Sequence, residues 1–251
     1  MTAPRVLLCG GLDPSGGAGL LADLEAVAAA GALGWAVATA LTAQGARGAR
    51  AVEPARPAML LVQVDALLEG RERPLAVKTG MMGSGANAEA LAARLRERPL
   101  LRVPLVVDPV LLASSGLPLL DSGSGDARAV LDALLSRATL ATPNWPELEI
   151  LSGRSLGSDE EAIRAARELP ARAVLVTGGH RVGEPVDLLV RGRAVVRIRG
   201  RRRPGTARGT GCRLASATAA FLAQGLPLEE AVRRAKRIVE RYLDAAVRVL
   251  P

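Results

Sequence analysis

Aromatic side chains are nearly absent from this chain of 251 residues: Phe221, Tyr242, Trp35 and Trp145 are the whole set, 2% of the sequence. So few flat rings leave little platform for stacking the bases of a single-stranded nucleic acid. Lysine is just as scarce, confined to Lys78 and Lys236, so nearly all of the 33 basic residues are arginine. Against 25 acidic residues they leave a formal net charge of +8, which alone would suggest a polyanionic partner such as nucleic acid or a membrane surface. Arginine excess beside abundant Ala, Gly, Leu and Val is also the pattern of GC-rich codon use, so the charge is taken as background and no nucleic-acid partner is expected. Cysteine is limited to Cys9 and Cys212, and histidine to His180, which excludes a disulfide framework and a zinc site. No apolar run approaches the roughly 18 uncharged residues of a membrane helix, so neither a membrane span nor a membrane partner is expected, and a cytoplasmic location follows. The opening MTAPRVLLCGGLDPSGG has a short apolar run that ends in a Gly/Asp/Pro turn, the pattern of a first strand and not of a signal peptide.

With 49% hydrophobic and 23% charged residues, the chain has the make-up of an ordinary globular protein, and no linker or repeat divides it. One domain over residues 1–251 is expected. Short Val- and Leu-rich runs at 5–10, 35–41, 75–79, 105–108, 140–142 and 173–177 read as buried strands. Between them lie helical patterns, first with Leu20, Leu24 and Val27 in step, then over 57–69, 87–97, 124–137 and 158–169. Such alternation implies crossover connections and a mostly parallel sheet covered on both faces. Residues 187–190 and 194–199 form an antiparallel hairpin pattern at one edge, and helices over 212–224 and 228–249 close the chain.

Ligands of open parallel sheets bind outside the carboxyl ends of the strands. Four segments there carry candidate chemistry. The stretch Gly10-Gly11-Leu12-Asp13-Pro14-Ser15-Gly16-Gly17-Ala18-Gly19 follows the first strand, and its glycines allow close backbone approach ahead of a helix N-terminus. Gly205-Thr206-Ala207-Arg208-Gly209-Thr210-Gly211-Cys212 opens another helix, where successive amides suit the charge of a phosphoryl group in flight. Cys212 falls in that helix's first turn, where the helix field favours thiolate, although a lone helical cysteine is commonly a small buried hydrophobe. Asp108 and Glu147 lie just past strand ends, where a hard cation bridging phosphates wants oxygen ligands. Asn144 and Glu147 equally fit a helix capping box. Neither a Walker A sequence nor a GxGxxG fingerprint is present.

Taken together, CGGLDPSGGAGLLADL, TALTAQGARG, VKTGMMG, VVDPVLLASSG, ATPNWPELEIL, VTGGH and RGTGCRLASA resemble, in order over about 210 residues, the ribokinase-like hydroxymethylpyrimidine and phosphomethylpyrimidine kinases of thiamine biosynthesis. The resemblance implies a three-layer αβα sandwich with a mostly parallel central sheet and an antiparallel edge. It implies transfer of the γ-phosphoryl group of ATP, with Mg²⁺, to an aminopyrimidine alcohol and then to its monophosphate. By the same resemblance Gln44 hydrogen-bonds the aminopyrimidine, and Gly11, Ala18, Met81 and Val110 line its pocket. The amides of Gly209, Thr210 and Gly211 form the anion hole, and Cys212 is the catalytic base. Asp108 and Glu147 organise the metal, while Asn144, Thr177 and Arg208 face the nucleotide. Relatives of this type are often homodimers.

The sequence departs from the family pattern at three places. Thr177 stands where a lysine usually contacts the ATP phosphates, Arg208 replaces a histidine, and Gly45 replaces an asparagine. Arg208, or an arginine among 201–203, is expected to stand in for the missing lysine, since guanidinium binds phosphate as ammonium does. Two other functions stay open at this point: a pyridoxal kinase of the same subfamily, and a pyrimidine sensor without turnover.

Overall fold

A computed structural model describes residues 3–45, 48–112, 116–121, 127–179, 184–202 and 207–249. Its centre is β1(Arg5–Leu12), an almost wholly buried strand flanked in parallel by β2(Leu33–Gly45) and β4(Ala76–Thr79). Beyond β4 follow β6(Leu105–Val107), β8(Leu140–Ala141) and β9(Val174–Val176), all parallel, then the antiparallel pair β10(Val186–Arg191) and β11(Ala194–Arg199). The far edge is β3(Gly48–Pro54), which turns back antiparallel on β2 and gives the order β11-β10-β9-β8-β6-β4-β1-β2-β3. The hairpin edge expected at 187–199 is present. The edge at β3 escapes a search for apolar runs, because GARAVEP mixes charge with a terminal proline.

Side-chain alternation along the strands sorts the core into two layers. Leu7, Cys9, Val77, Leu105 and Val107 point to one face, packing against α2(Pro57–Leu68), α3(Gly85–Leu95), α4(Ala127–Leu135), α5(Trp145–Ser152) and α6(Asp159–Glu168). Val6, Leu8, Ala76, Val106 and Leu175 point to the other, against α1(Gly19–Ala29), α7(Thr210–Ala223) and α8(Leu228–Val249). The result is the three-layer αβα sandwich. Helix α8 buries Ala231, Val232, Ala235 and Ile238, while Arg233 and Arg234 pair with Glu229 and Glu230 one turn earlier on the solvent side. Part of the positive charge is thus a solvated helix face. Helix α5 grows from the turn expected around Asn144, and the two-residue pair β5(Gly83–Ser84) and β7(Leu120–Asp121) is too short to leave a sequence signal. The helix expected over 124–137 is described from Ala127, its first residues lying outside the described ones, as do Gly205, Thr206, His180 and Arg203.

One buried side chain ties the crossover after β4 to the β2–β3 edge. Asn87 is fully buried, and its Nδ2 lies 3.1 Å from the carbonyl of Thr39, 3.0 Å from that of Ala55 and 3.1 Å from that of Met82. An Asn87→Ala protein should lose roughly 1–3 kcal/mol through stranded carbonyls. Thermal unfolding should report a fall in Tm of roughly 2–4 °C for each kcal/mol.

Candidate active site

A cleft of about 730 Å³ opens at the carboxyl ends of the parallel strands, a volume within the range of small-molecule sites. Its first wall is the loop between β1 and α1. Asp13, only 2% exposed, organises that loop by accepting from Ser15 N at 2.9 Å, Ser15 Oγ at 2.7 Å and Ala18 N at 3.0 Å. Gly19 starts α1 at a φ of +60°, and a Cβ there would lie 2.3 Å from the Gly11 carbonyl, so only glycine closes this turn. Gly11 packs on Met81, and Met81 joins Ala40, Leu119 and Val110 in a small apolar cluster. Thr39 holds the Met81 carbonyl through its hydroxyl at 2.5 Å. Together these residues make an apolar slot, and Gln44 at the end of β2 lines the same cleft.

The second wall is the start of α7. Gly209 caps it in the left-handed conformation, at φ +70°, and Thr210, Gly211 and Cys212 form its first turn. Gly209 sits against Gly17 and Ala18, so the two glycine-rich turns touch and the N-termini of α1 and α7 lie side by side. Arg213, 3% exposed, clamps the junction. Its Nη1 donates to the Gly17 carbonyl at 3.1 Å, its Nη2 meets Glu25 at 2.6 Å, and its guanidinium stacks 3.7 Å over the Tyr242 ring.

Beneath this turn lies an ion pair that sequence reasoning did not single out. Lys78 Nζ meets Asp23 Oδ1 and Oδ2 at 2.9 and 2.8 Å, both side chains being buried, and Ser216 Oγ donates to Asp23 Oδ1 at 2.7 Å. Burial pulls the lysine pKa down, but Asp23, with Cys212 and Asp108 beyond it, outweighs burial and leaves it raised. A cleft-lining cation is thereby held charged. Its sequence signal was rarity: one of two lysines in an arginine-rich chain, ending a buried strand.

The other titrating groups respond to burial. Asp108 is raised to about 6 by desolvation, partly offset by Lys78, and its carboxylate reaches Thr142 and the Cys212 thiol. Glu147 is raised to about 8 by desolvation and by the neighbouring Asp108. Cys212 is pushed up to about 12, because desolvation outweighs the Lys78 charge and the hydrogen bond from the Gly19 backbone. Burial thus works against a thiolate at Cys212.

Asn144 and Glu147 make the capping box of α5, with Glu147 N donating to Asn144 Oδ1 and Asn144 N to Glu147 Oε2, each at 2.9 Å. Both still line the cleft, as does Thr177, whose backbone bridges to Asn144. Every candidate site residue of the sequence thus lines one cleft. Arg208 is among them. Its guanidinium reaches Asp13 Oδ2 at 2.8 Å and the Oε1 of Gln44, on the slot side, because a buried carboxylate is its nearest anion. These contacts set Arg208 against the loop after β1 and the end of β2. The Arg202 side chain approaches the Gly179 carbonyl at 3.4 Å, and its amide donates to Glu184.

An apolar slot, a glycine-framed helix N-terminus and buried carboxylates at the carboxyl ends of one parallel sheet define a small-molecule phosphotransferase. The phosphomethylpyrimidine kinase family model matches residues 13–250. The chain belongs to that family. It is 42% identical over 250 residues to the thiamine biosynthesis bifunctional protein ThiED of Geobacter sulfurreducens, covering 97% of this chain but 49% of that longer protein. The crystal structure of phosphomethylpyrimidine kinase from Clostridium difficile 630 is similar at a TM-score of 0.79 and 34% identity, over 98% of this chain and 100% of the other. Pyridoxal kinase from Staphylococcus aureus, in complex with AMP-PCP and pyridoxal, is similar at a TM-score of 0.83 and 28% identity, over 96% and 87%.

Proposed function

We propose that this kinase transfers the γ-phosphoryl group of ATP to the hydroxyl of 4-amino-5-hydroxymethyl-2-methylpyrimidine, and then a second one to the resulting monophosphate. The observation that carries this is the junction at Gly209, where the apolar slot and the start of α7 meet in one cleft. In the reaction the ring lies in the slot formed by Gly11, Ala18, Met81 and Val110, with Gln44 on its edge. The hydroxymethyl arm points at the first turn of α7. A bond forms from the hydroxyl oxygen to the γ-phosphorus as the bond from that phosphorus to the bridging oxygen breaks, and ADP leaves. The transferring group passes through a loose transition state, so positioning and charge stabilisation dominate. The amides of Gly209, Thr210 and Gly211 supply fixed donors, and the buried Lys78 adds positive field from below. The hydroxyl proton passes to the Asp108 carboxylate, near the Cys212 thiol, because burial works against a thiolate that could take it.

A Mg²⁺ ion fits this donor set. Asp108 Oδ2 is buried without a hydrogen-bond partner, the kind of orphaned oxygen a hard cation takes up. Asp108 and Glu147 are the side chains that would hold it. When bound, the ion would neutralise charge on the phosphates. Asn144 and Thr177 line the same end of the cleft and are assigned to the nucleotide. A single domain supplies all these parts, and the reading places the enzyme in the cytoplasm with ATP, as a homodimer. Among the described residues no helix is long and apolar enough to cross a membrane.

Incubation with ATP, Mg²⁺ and the pyrimidine should release ADP well above a Cys212→Ala protein; equal release by both would refute the assignment. The slot would also admit pyridoxal, as in the similar kinase that binds it. Side-by-side kcat/KM values should favour the pyrimidine. Thr177 lacks the charge that the family's lysine supplies, so a Thr177→Lys protein should gain roughly 3–10-fold in kcat/KM for ATP, the effect of about one charged hydrogen bond. Steady-state kinetics at varied ATP checks it, and no gain would mean that the charge is already supplied.

A further inference from the structure

We infer that Arg208 is a specificity-determining positioning residue, whose guanidinium turns the Gln44 carboxamide so that the slot offers a ring ligand an N–H donor at that point. The inference rests on the assignment of Gln44 to the ring.

Guanidinium carries only donors, so the carboxamide atom facing Arg208 Nη2 must be the acceptor oxygen Oε1. That leaves Nε2 as the atom available to a ligand. The guanidinium is itself fixed on several sides. Nη2 donates to Asp13 Oδ2 at 2.8 Å, and Nη1 donates to Ser15 Oγ at 3.2 Å and the Gly45 carbonyl at 3.3 Å. Asp13 is buried and engaged by the loop amides, so rotating the guanidinium away would leave a buried carboxylate short of a partner. The backbone is anchored as well. The Arg208 carbonyl accepts from Tyr242 Oη at 3.1 Å and from Arg213 Nη1 at 3.3 Å. Glutamine alone can flip to suit a donor or an acceptor, whereas glutamine held by arginine cannot.

The ligand class that follows is a flat nitrogen heteroaromatic that turns an unprotonated ring nitrogen to Gln44. The amine beside that nitrogen in the aminopyrimidine then gains little from Gln44. This also explains why Arg208 does not replace the absent lysine: its side chain is committed to the ring end of the cleft, one residue away from the anion hole.

The test compares three alcohols on the wild-type chain: the pyrimidine itself, an analogue with C–H in place of the ring nitrogen next to the amine, and an analogue with hydrogen in place of the amine. Loss of the ring nitrogen should raise KM by about 10-fold or more, and loss of the amine by less than about 3-fold, the spread between a stranded buried donor and a dispensable bond. In an Arg208→Met protein the carboxamide is free to turn, so the two penalties should converge while KM for ATP stays put. Arg208→Lys, still donor-only, should keep the wild-type ranking. A cycle of Gln44→Ala with Arg208→Met should be non-additive. Equal penalties on the wild type, an unchanged ranking in Arg208→Met, or a rise in KM for ATP in that variant would each overturn the inference. Should Arg208→Met fail to fold, the wild-type series and Arg208→Lys still decide. A wild type without turnover would refute the kinase assignment instead, and calorimetric affinities for the same three alcohols would still read the ranking.

Discussion

A Gly209→Ala protein should lose roughly 10²–10³-fold in kcat, the measured scale for removing a fixed donor to a developing anion. The cause is geometric. Gly209 has a φ of +70°, and its added Cβ would lie 2.3 Å from the Gly17 carbonyl, 2.8 Å from Arg213 Nη1 and 2.9 Å from the Ala18 Cα. Two of those neighbours are backbone and the third is a buried arginine held by Glu25 and Tyr242, so the turn itself must move. The amides that follow it move with it. Of the slot residues, Met81 and Val110 lie on other elements while Ala18 touches Gly209, so calorimetric affinity for the pyrimidine should fall far less than kcat does. A Gly209→Ala protein with normal kcat would show that the start of α7 is not where phosphoryl charge is stabilised.

The second large effect concerns stability. Lys78→Met leaves Asp23 buried with Ser216 as its remaining hydrogen-bond partner among the described residues. Breaking a buried pair from one side costs about 3–5 kcal/mol. The melting temperature of the variant should fall by roughly 2–4 °C per kcal/mol. Adding Asp23→Leu should recover much of that loss, since apolar replacement of both partners removes the stranded charge. Activity should not return with it, because the cation under Cys212 and Asp108 is gone. Recovery of both together would assign the pair to structure alone.

Much of this architecture is legible in the sequence because burial on both faces of a parallel sheet forces continuous apolar strands. Val6 and Leu8 serve one layer and Leu7 and Cys9 the other, so VLLC had to be apolar throughout. The glycine-rich turns are legible for a similar reason, since Gly19 and Gly209 sit where a Cβ would strike a carbonyl. What escaped depends on distance across the fold. The reach of Arg208 to Gln44 spans 164 residues, and the pairing of Lys78 with Asp23 spans 55, neither visible in local spacing. The titration of Cys212 stays open in the sequence for the same reason, since its helix position is local while the groups that desolvate it are not. Strand β3 was hidden by charge on an edge that water can reach.

The central claim, stepwise phosphorylation of an aminopyrimidine alcohol at the junction of slot and anion hole, is tested most directly by mass analysis of the pyrimidine after incubation with ATP, Mg²⁺ and the wild-type chain. The account predicts the monophosphate first and the diphosphate after it, with one ADP formed per phosphoryl group added. Binding of the pyrimidine with no phosphorylated product at any time would contradict it, and would mark the cleft as that of a sensor.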